Sequence, residues 1–483
     1  MLLFLVLDAP FGSEVKMSNY TMNSCMQNTE TDVKKVGNTV LVAWIRGSGD
    51  QYDGNYLAMS FDGGNTFAGL YYPSPDPTNC WIGDPAIAIQ PDNPNILFFA
   101  FATICGFLGT GEVRVYRCTS GSGCFDPANW SSFFVGPNDN YQYYKGLPQI
   151  LALGNNTVLV NFATDKFSPG ETRLVIYRST DNGASWNQVG STNFPSTLGY
   201  FAKDGSNIYM SYNDLTYASS DTLVFVGFMR STDNGLNFFD IAWTSFNFGS
   251  SLSCPSYYSA KEYNNITASN GKVAISYVDG NCKANIGIYK GGLGFDTTYP
   301  IASIGGGTQQ VIPMLASSGN KIFAQWQGRI GNYGSCGGYP LGTWATYWAV
   351  SNDWGQSFSA PQRVSSGDYP FYEPGYGYKN GWIIDNGYIY TTWGNDYRDD
   401  YTGDVYYSRT TISALEEIVN KKKPYSIKYQ SNKVIISSRA PFTIYRVNGE
   451  KLISYKEGNY QLNLKSGIYF IKSNNFEDKI IIR

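Results

Sequence analysis

Seven times along the chain, a turn rich in Gly, Asn and Asp is followed by a run of β-branched or aromatic residues. The copies are VGNTVLVAW from Val36, PDNPNILFFAF from Pro91, LGNNTVLVNF from Leu153, KDGSNIYMSY from Lys203, SNGKVAISY from Ser269, SGNKIFAQW from Ser318 and DNGYIYTTW from Asp385. Each reads as a β-hairpin, because apolar residues flank a turn whose Gly or Asn accepts the positive φ it requires. A third strand follows each hairpin: NYLAMS ending at Ser60, EVRVYR ending at Arg117, TRLVIYRS ending at Ser179 and LVFVGFMRS ending at Ser231, then ANIGIYK, TWATYWAVS and GDVYYSR. A shorter fourth strand is expected in the first six copies. One such sheet cannot bury both its faces, so a four-strand unit repeating every roughly 50–65 residues predicts blades stacked around an axis. The seventh copy ends near Thr411 without a fourth strand, while the strand-like stretch Glu14 to Tyr20 belongs to no copy. That stretch is expected to complete the last blade and close the ring. The expected fold is all-β, a seven-bladed propeller; six blades with an odd extra sheet is the alternative.

Composition narrows the chemistry. The 483 residues include no histidine, which removes the commonest zinc ligand, the usual proton shuttle and every Ser-His-Asp or Cys-His mechanism. Charged residues are 15% of the chain against 42% hydrophobic, with 52 Gly and 39 Tyr, a mixture suited to short strands and tight turns. A net charge of −3 offers no basic field, so a nucleic-acid partner is not expected. The eight cysteines form no CxxC pair and read as disulfides of an oxidising compartment; only Cys118 with Cys124 is close enough in sequence to pair by inspection. The apolar run Met1 to Leu7 is too short to span a bilayer and lacks a basic flank, so residues 1–13 read as the remnant of a secretion signal. No other segment reaches transmembrane length.

Four copies share a turn between their third and fourth strands: SFDGGNTF at Ser60–Phe67, STDNGASW at Ser179–Trp186, STDNGLNF at Ser231–Phe238 and SNDWGQSF at Ser351–Phe358. The Asp accepts bonds from backbone amides, the Gly relieves a steep bend and the last aromatic inserts between sheets. The pattern S-x-D-x-G-x-[ST]-[FW] resembles the Asp-box, or BNR repeat, of sialidase-superfamily propellers over residues 14–413. The third copy departs from it at Asn237, and blades two, five and seven lack it. In the family these turns lie on the rim opposite the ligand funnel. The resemblance therefore implies that Asp62, Gly64, Asp181, Gly183, Asp233, Gly235, Asp353 and Gly355 stabilise the fold rather than act on a ligand.

Beyond Ile412 the character changes. Residues 414–424 are charged and read as a linker. Residues 425–483 alternate in short strands and are basic, with about 13 Lys and Arg against about 4 acids. IYRVNGEKL at Ile444–Leu452, LKSGIYFIK at Leu464–Lys472 and the terminal KIIIR resemble the C-terminal sorting domain of type IX secretion cargo. That resemblance implies a small immunoglobulin-like β-sandwich that partners export and surface-attachment machinery. An ordinary accessory module is the alternative. The expected location is extracellular or at the cell surface.

Candidate ligand residues follow the second strand of each blade or join one blade to the next. Arg46, Asp165, Asp214, Asp279, Arg329 and Asp396 come just past second strands, and Asp84, Trp81, Tyr372 and Glu373 lie in blade-to-blade stretches. Arg398 falls in the loop after Asp396. Carboxylates that accept hydroxyl bonds beside aromatic faces suit sugars. For each Asp, simply turning the chain at a strand end is the plainer role. The Arg-Ile-Pro signature of sialidases is absent, and Asp84 with Glu373 or Asp396 is the candidate catalytic pair of a glycosidase. The expectation is a propeller that binds glycans or surface proteins without catalysis. A glycoside hydrolase and a structural surface protein are the alternatives. No cofactor is expected, although Asp396, Asp399 and Asp400 offer clustered oxygens to calcium.

Overall fold

The computed structural model describes residues 15–17, 29–48, 51–73, 80–105, 110–136, 143, 145–166, 171–214, 223–247, 264–279, 281–289, 297–301, 307, 309–336, 339–365, 369–372, 381–396, 404–412, 425–430, 433–438, 441–446, 450–463, 467–473 and 476–482. The signal remnant and the linker lie outside them.

Seven antiparallel sheets make up the propeller. The first blade is Thr29–Val36, Thr39–Ser48, Gln51–Ser60 and Ala68–Pro73, and the second is Cys80–Ile89, Leu97–Cys105, Thr110–Cys118 and Trp130–Phe134. The third runs Lys145–Gly154, Thr157–Thr164, Arg173–Ser179 and Asn187–Ser191; the fourth Phe201–Asp204, Asn207–Asp214, Leu223–Ser231 and Phe239–Asn247. The fifth holds Asn264–Ser269, Lys272–Val278, Ala284–Tyr289 and Thr297–Pro300. The sixth holds Gln310–Ser318, Lys321–Cys336, Tyr339–Ser351 and Gln362–Arg363, with Tyr369–Tyr372 also paired to its third strand. In the seventh, Trp382–Asp385, Tyr388–Asp396 and Asp404–Thr411 are joined by Val15–Lys16 from the N-terminal end. Val15 lies opposite Tyr407 and Lys16 opposite Tyr406, so the first described strand closes the last blade. The first strands of neighbouring blades touch all the way round the ring, which places them around the axis.

Between blades the packing is apolar. Leu41, Leu57 and Met59 of the first blade meet Ile87, Phe99 and Phe101 of the second. At the closure, Val33, Val40, Val42 and Trp44 of the first blade pack on Tyr390, Val405 and Tyr407 of the seventh. Sheets with two apolar faces explain why the strands read as nearly continuous hydrophobic runs. Two disulfides pin the second blade: Cys118–Cys124, read from the sequence, and Cys80–Cys105, which joins adjacent strands and which spacing alone did not single out.

The four S-x-D-x-G turns share one set of bonds. The Ser hydroxyl donates to the Asp carboxylate at 2.7 Å and accepts the Gly N–H at 2.6–2.9 Å. The Asp in turn accepts backbone amides at the far end of the turn. The closing aromatics Phe67, Trp186, Phe238 and Phe358 pack into the seam with the preceding blade. Arginines of that preceding blade reach the turn's carbonyls: Arg117 bonds to Asp181 and Asn182, Arg178 to Asn234, and Arg409 to Gly63. Each turn therefore braces two blades.

These bonds act on the carboxyl groups. The Thr66 amide and hydroxyl hold Asp62 well below the usual carboxylate range. At Asp233 the Asn237 side chain and amide lower it to about 2. At Asp181 burial pushes upward, and the Ser185 and Ser179 hydroxyls with backbone amides outweigh it, again giving about 2. A carboxyl depressed in the folded state stabilises fully above its unfolded value near about 4 and loses that contribution as pH falls through the folded value. The urea midpoint is expected to drop between about pH 4 and pH 2, and Asp181→Asn to flatten part of that drop. An Asp181→Asn profile parallel to wild type would disprove the assignment.

Residues 416–483 form a separate compact unit. One sheet orders Tyr425–Gln430, Lys433–Ser438 and Gly458–Leu462, and the other Lys451–Tyr455, Phe442–Arg446, Gly467–Ser473 and Phe476–Ile482. Val434, Ile436, Phe442, Ile444, Leu462, Tyr469 and Ile471 make their common core.

Candidate functional site

Four axial strands break register, after Thr29, Gly83, Gly146 and Val311. A non-glycine residue at each break has positive φ: Glu30 at 55°, Asp84 at 56°, Leu147 at 55° and Ile312 at 51°. In three of the four the next residue is proline, Pro85, Pro148 or Pro313. Proline has no N–H to give a ladder, so it fits where the ladder is already interrupted. Such a bulge turns side chains out of the regular alternation. The axial strands here bury Glu30, Asp32, Asp84, Lys145, Gln149 and Gln310.

The acids hold neighbouring blades together. Asp32 accepts from Lys34 Nζ at 2.7 Å and from the Ile87 amide of the second blade at 3.2 Å. Asp84 accepts from the Leu147 amide of the third blade at 2.8 Å.

Tyr200 ends the connector from the third blade to the fourth. Buried side chains clamp that connector. Asn161 donates to Gly199 O at 3.1 Å, Asn264 donates to Leu198 O at 3.2 Å, and Ser196 donates to Asn213 at 3.0 Å. The Tyr200 amide donates to Ser211 Oγ at 3.0 Å. A Cβ on Gly199 would lie 2.7 Å from Ser211 O, so only glycine allows this approach. Burial, then the negative charges of Asp32, Glu30 and Asp84, push the Tyr200 phenol well above its ordinary value. Tyr200 is thus a neutral hydroxyl that feels the charge of three buried carboxylates.

The sixth blade has extended strands. Its second and third strands are 16 and 13 residues long against at most 10 in the others. Arg329 pairs with Trp344, Trp344 in turn with Tyr369, and Leu341 with Tyr372, so Arg329 and Tyr372 share a three-stranded extension. Arg329 donates to Gln309 Oε1 at 3.0 Å.

The other sequence candidates scatter around this rim. Asp279 closes its own loop, accepting from the Asn281 and Lys283 amides and from the Asn285 side chain, each at 2.9 Å. That is the chain-turning role. Asp165 is half-buried just past its second strand. In the backbone Arg46 faces Gly54, Trp81 faces Ile104, Asp214 faces Phe225 and Asp396 faces Asp404. The side chains of these four residues and of Tyr372 lie outside the described residues, as do Glu373, Arg398, Asp399 and Asp400 altogether. Glu30, Asp32 and Tyr200 were missed because the sequence reading followed second strands outward. The signal was acids opening a first strand, and a proline recurring at one place in first strands.

A scan of protein families finds no match to this chain, and neither does a search of curated proteins. Solved structures do match. The polysaccharide lyase Uly1 is 11% identical with a TM-score of 0.52, over 83% of this chain and 99% of the lyase. A Hadza microbial sialidase, Hz136, is 11% identical at a TM-score of 0.45, over 80% of this chain and 66% of the sialidase. Trypanosoma rangeli sialidase is 7% identical at a TM-score of 0.45, over 98% of this chain and 89% of the sialidase. The fold is a seven-bladed β-propeller. Among the described residues no helix is long and apolar enough to cross a membrane.

Proposed function

We propose that this propeller is a secreted or cell-surface glycan-binding protein whose ligand sits at the mouth of the central channel and is held without being cleaved. The observation that carries the reading is a set of carboxylates, Glu30, Asp32 and Asp84, buried in the axial strands of neighbouring blades, whose negative charge reaches the buried Tyr200. Sugar hydroxyls are donors and acceptors at once, which matches carboxylates beside a protonated phenol. Asp32 and Asp84 each accept from a backbone amide of the next blade, which suits a rigid cradle better than a proton-transferring pair. The extension carrying Arg329 and Tyr372 supplies one wall, and Arg46, Trp81 and Asp165 belong to the same rim. Residues 425–483 serve, in this reading, as the export and surface-attachment domain. A glycoside hydrolase is the second reading, since carboxylates such as Glu30, Asp32 and Asp84, buried in neighbouring axial strands, are the groups that glycosidic hydrolysis uses.

The test is a glycan-array screen of the full chain beside a hydrolysis assay on the same glycans, sialylated ones included. Binding without sugar release is expected. Tyr200→Phe keeps the ring and removes one donor, so it should weaken binding about tenfold, equivalent to about 1.4 kcal/mol, with thermal stability nearly unchanged. Sugar release would replace this reading with the hydrolase; undiminished binding by Tyr200→Phe would move the site off the axis.

A further inference from the structure

The seam between the sixth and seventh blades buries polar side chains on both of its walls. On the second strand of the sixth blade, Ile322, Ala324 and Trp326 pack against the fifth blade. Alternation along a strand turns Phe323, Gln325 and Gln327 toward the seventh. Trp382 of the seventh blade confirms that contact by donating its indole N–H to Phe323 O at 2.9 Å. In the seventh blade Tyr390, Val405 and Tyr407 face the first, so Thr391 and Trp393 face back toward the sixth. The seam thus contains Gln325, Gln327, Thr391 and Trp393, each at most 1% exposed.

Five polar atoms of these side chains have no hydrogen-bond partner in the protein: Gln325 Nε2 and Oε1, Gln327 Oε1, Thr391 Oγ1 and Trp393 Nε1. Buried polar groups are almost always paired, and five orphans in one seam would cancel a large share of a domain's folding free energy. The set mixes donors and acceptors. A cation would leave Gln325 Nε2 and Trp393 Nε1 unanswered, and an anion would leave the two amide oxygens unanswered. Water answers both kinds, and a buried water typically makes about three such bonds.

We infer that the seam between the sixth and seventh blades is a built site for a cluster of ordered water molecules, held by Gln325, Gln327, Thr391 and Trp393. This inference is independent of what the channel mouth binds. It makes the seam a hydrated joint between two blades.

The deciding experiment is a crystal structure of the full chain at about 1.5 Å, where waters bonded to these groups should appear at about 2.7–3.2 Å. A seam without solvent, with Gln325 and Thr391 bonded directly to each other or to backbone, overturns the inference. The sign of a stability change gives a second test. Removing a water-bridged group strips the cluster of partners, so Gln325→Leu should lower Tm by about 2–4 °C. Removing an orphan relieves a penalty, so a raised Tm counts against the water cluster. Thr391→Val, nearly isosteric, repeats the test should Gln325→Leu fail to fold.

Discussion

Gly381→Ala is expected to destabilise the propeller by about 3 kcal/mol, at the upper end of what overpacking a core costs. Gly381 stands where the seventh blade meets the first. Its amide donates to Thr392 Oγ1 at 3.0 Å and to Thr31 Oγ1 at 3.2 Å, and its carbonyl accepts from the Thr392 amide at 2.9 Å. An added Cβ would meet Thr392 Oγ1 and would lie 2.6 Å from both Val33 Cγ1 and the Val33 backbone nitrogen. A side-chain methyl can rotate away; a backbone nitrogen in the axial strand of the first blade cannot. Relief therefore requires the two blades to part, at the centre of the cluster that closes the ring. Urea denaturation measures the effect, with Gly37→Ala as the control. Gly37 has positive φ, 59°, but nothing lies within 4 Å of its added Cβ, so its cost should stay at about 1 kcal/mol, that of the backbone conformation alone. Equal midpoints for the two variants would show that the closing seam is not packed as described.

Removing residues 1–17 is expected to cost about 3–5 kcal/mol, from lost backbone bonds and lost apolar burial. Val15 and Lys16 pair with the outer strand of the seventh blade, the Met17 amide donates to Val405 O at 2.8 Å, and the Met17 side chain packs on the Val33–Tyr407 cluster. Truncation bares the edge of Asp404–Thr411, and an unpaired edge is a template for aggregation. Thermal unfolding should shift down and light scattering should rise, and a peptide spanning residues 14–20 added in trans should reverse both. An unchanged Tm would mean that the seventh blade stands on three strands.

The fold was legible because its determinants are local. Seven hairpin turns, the strands after them and an unassigned strand at the start were enough to count blades and to predict the closing pair, since each depends on alternation and turn chemistry within about ten residues. The four S-x-D-x-G turns were legible for the same reason: Ser60 to Thr66 contain nearly all their own partners. The candidate site was less so. Asp84 was singled out as a blade-to-blade residue, but Glu30 and Asp32 sit in a strand whose sequence, TETDVKKV, reads as an ordinary edge. Tyr200 is one tyrosine among many.

The sequence by itself determined the repeat, the turns and the disulfide Cys118–Cys124, because spacing and residue type settle contacts between near neighbours. Only the tertiary structure decided that Asp32 accepts from the Ile87 amide and Asp84 from the Leu147 amide of the next blade, that Cys80 pairs with Cys105, and that Trp382 donates to Phe323 O across a seam. Those contacts join residues from different strands or blades, and no local periodicity records which side chains a closed ring brings to its axis.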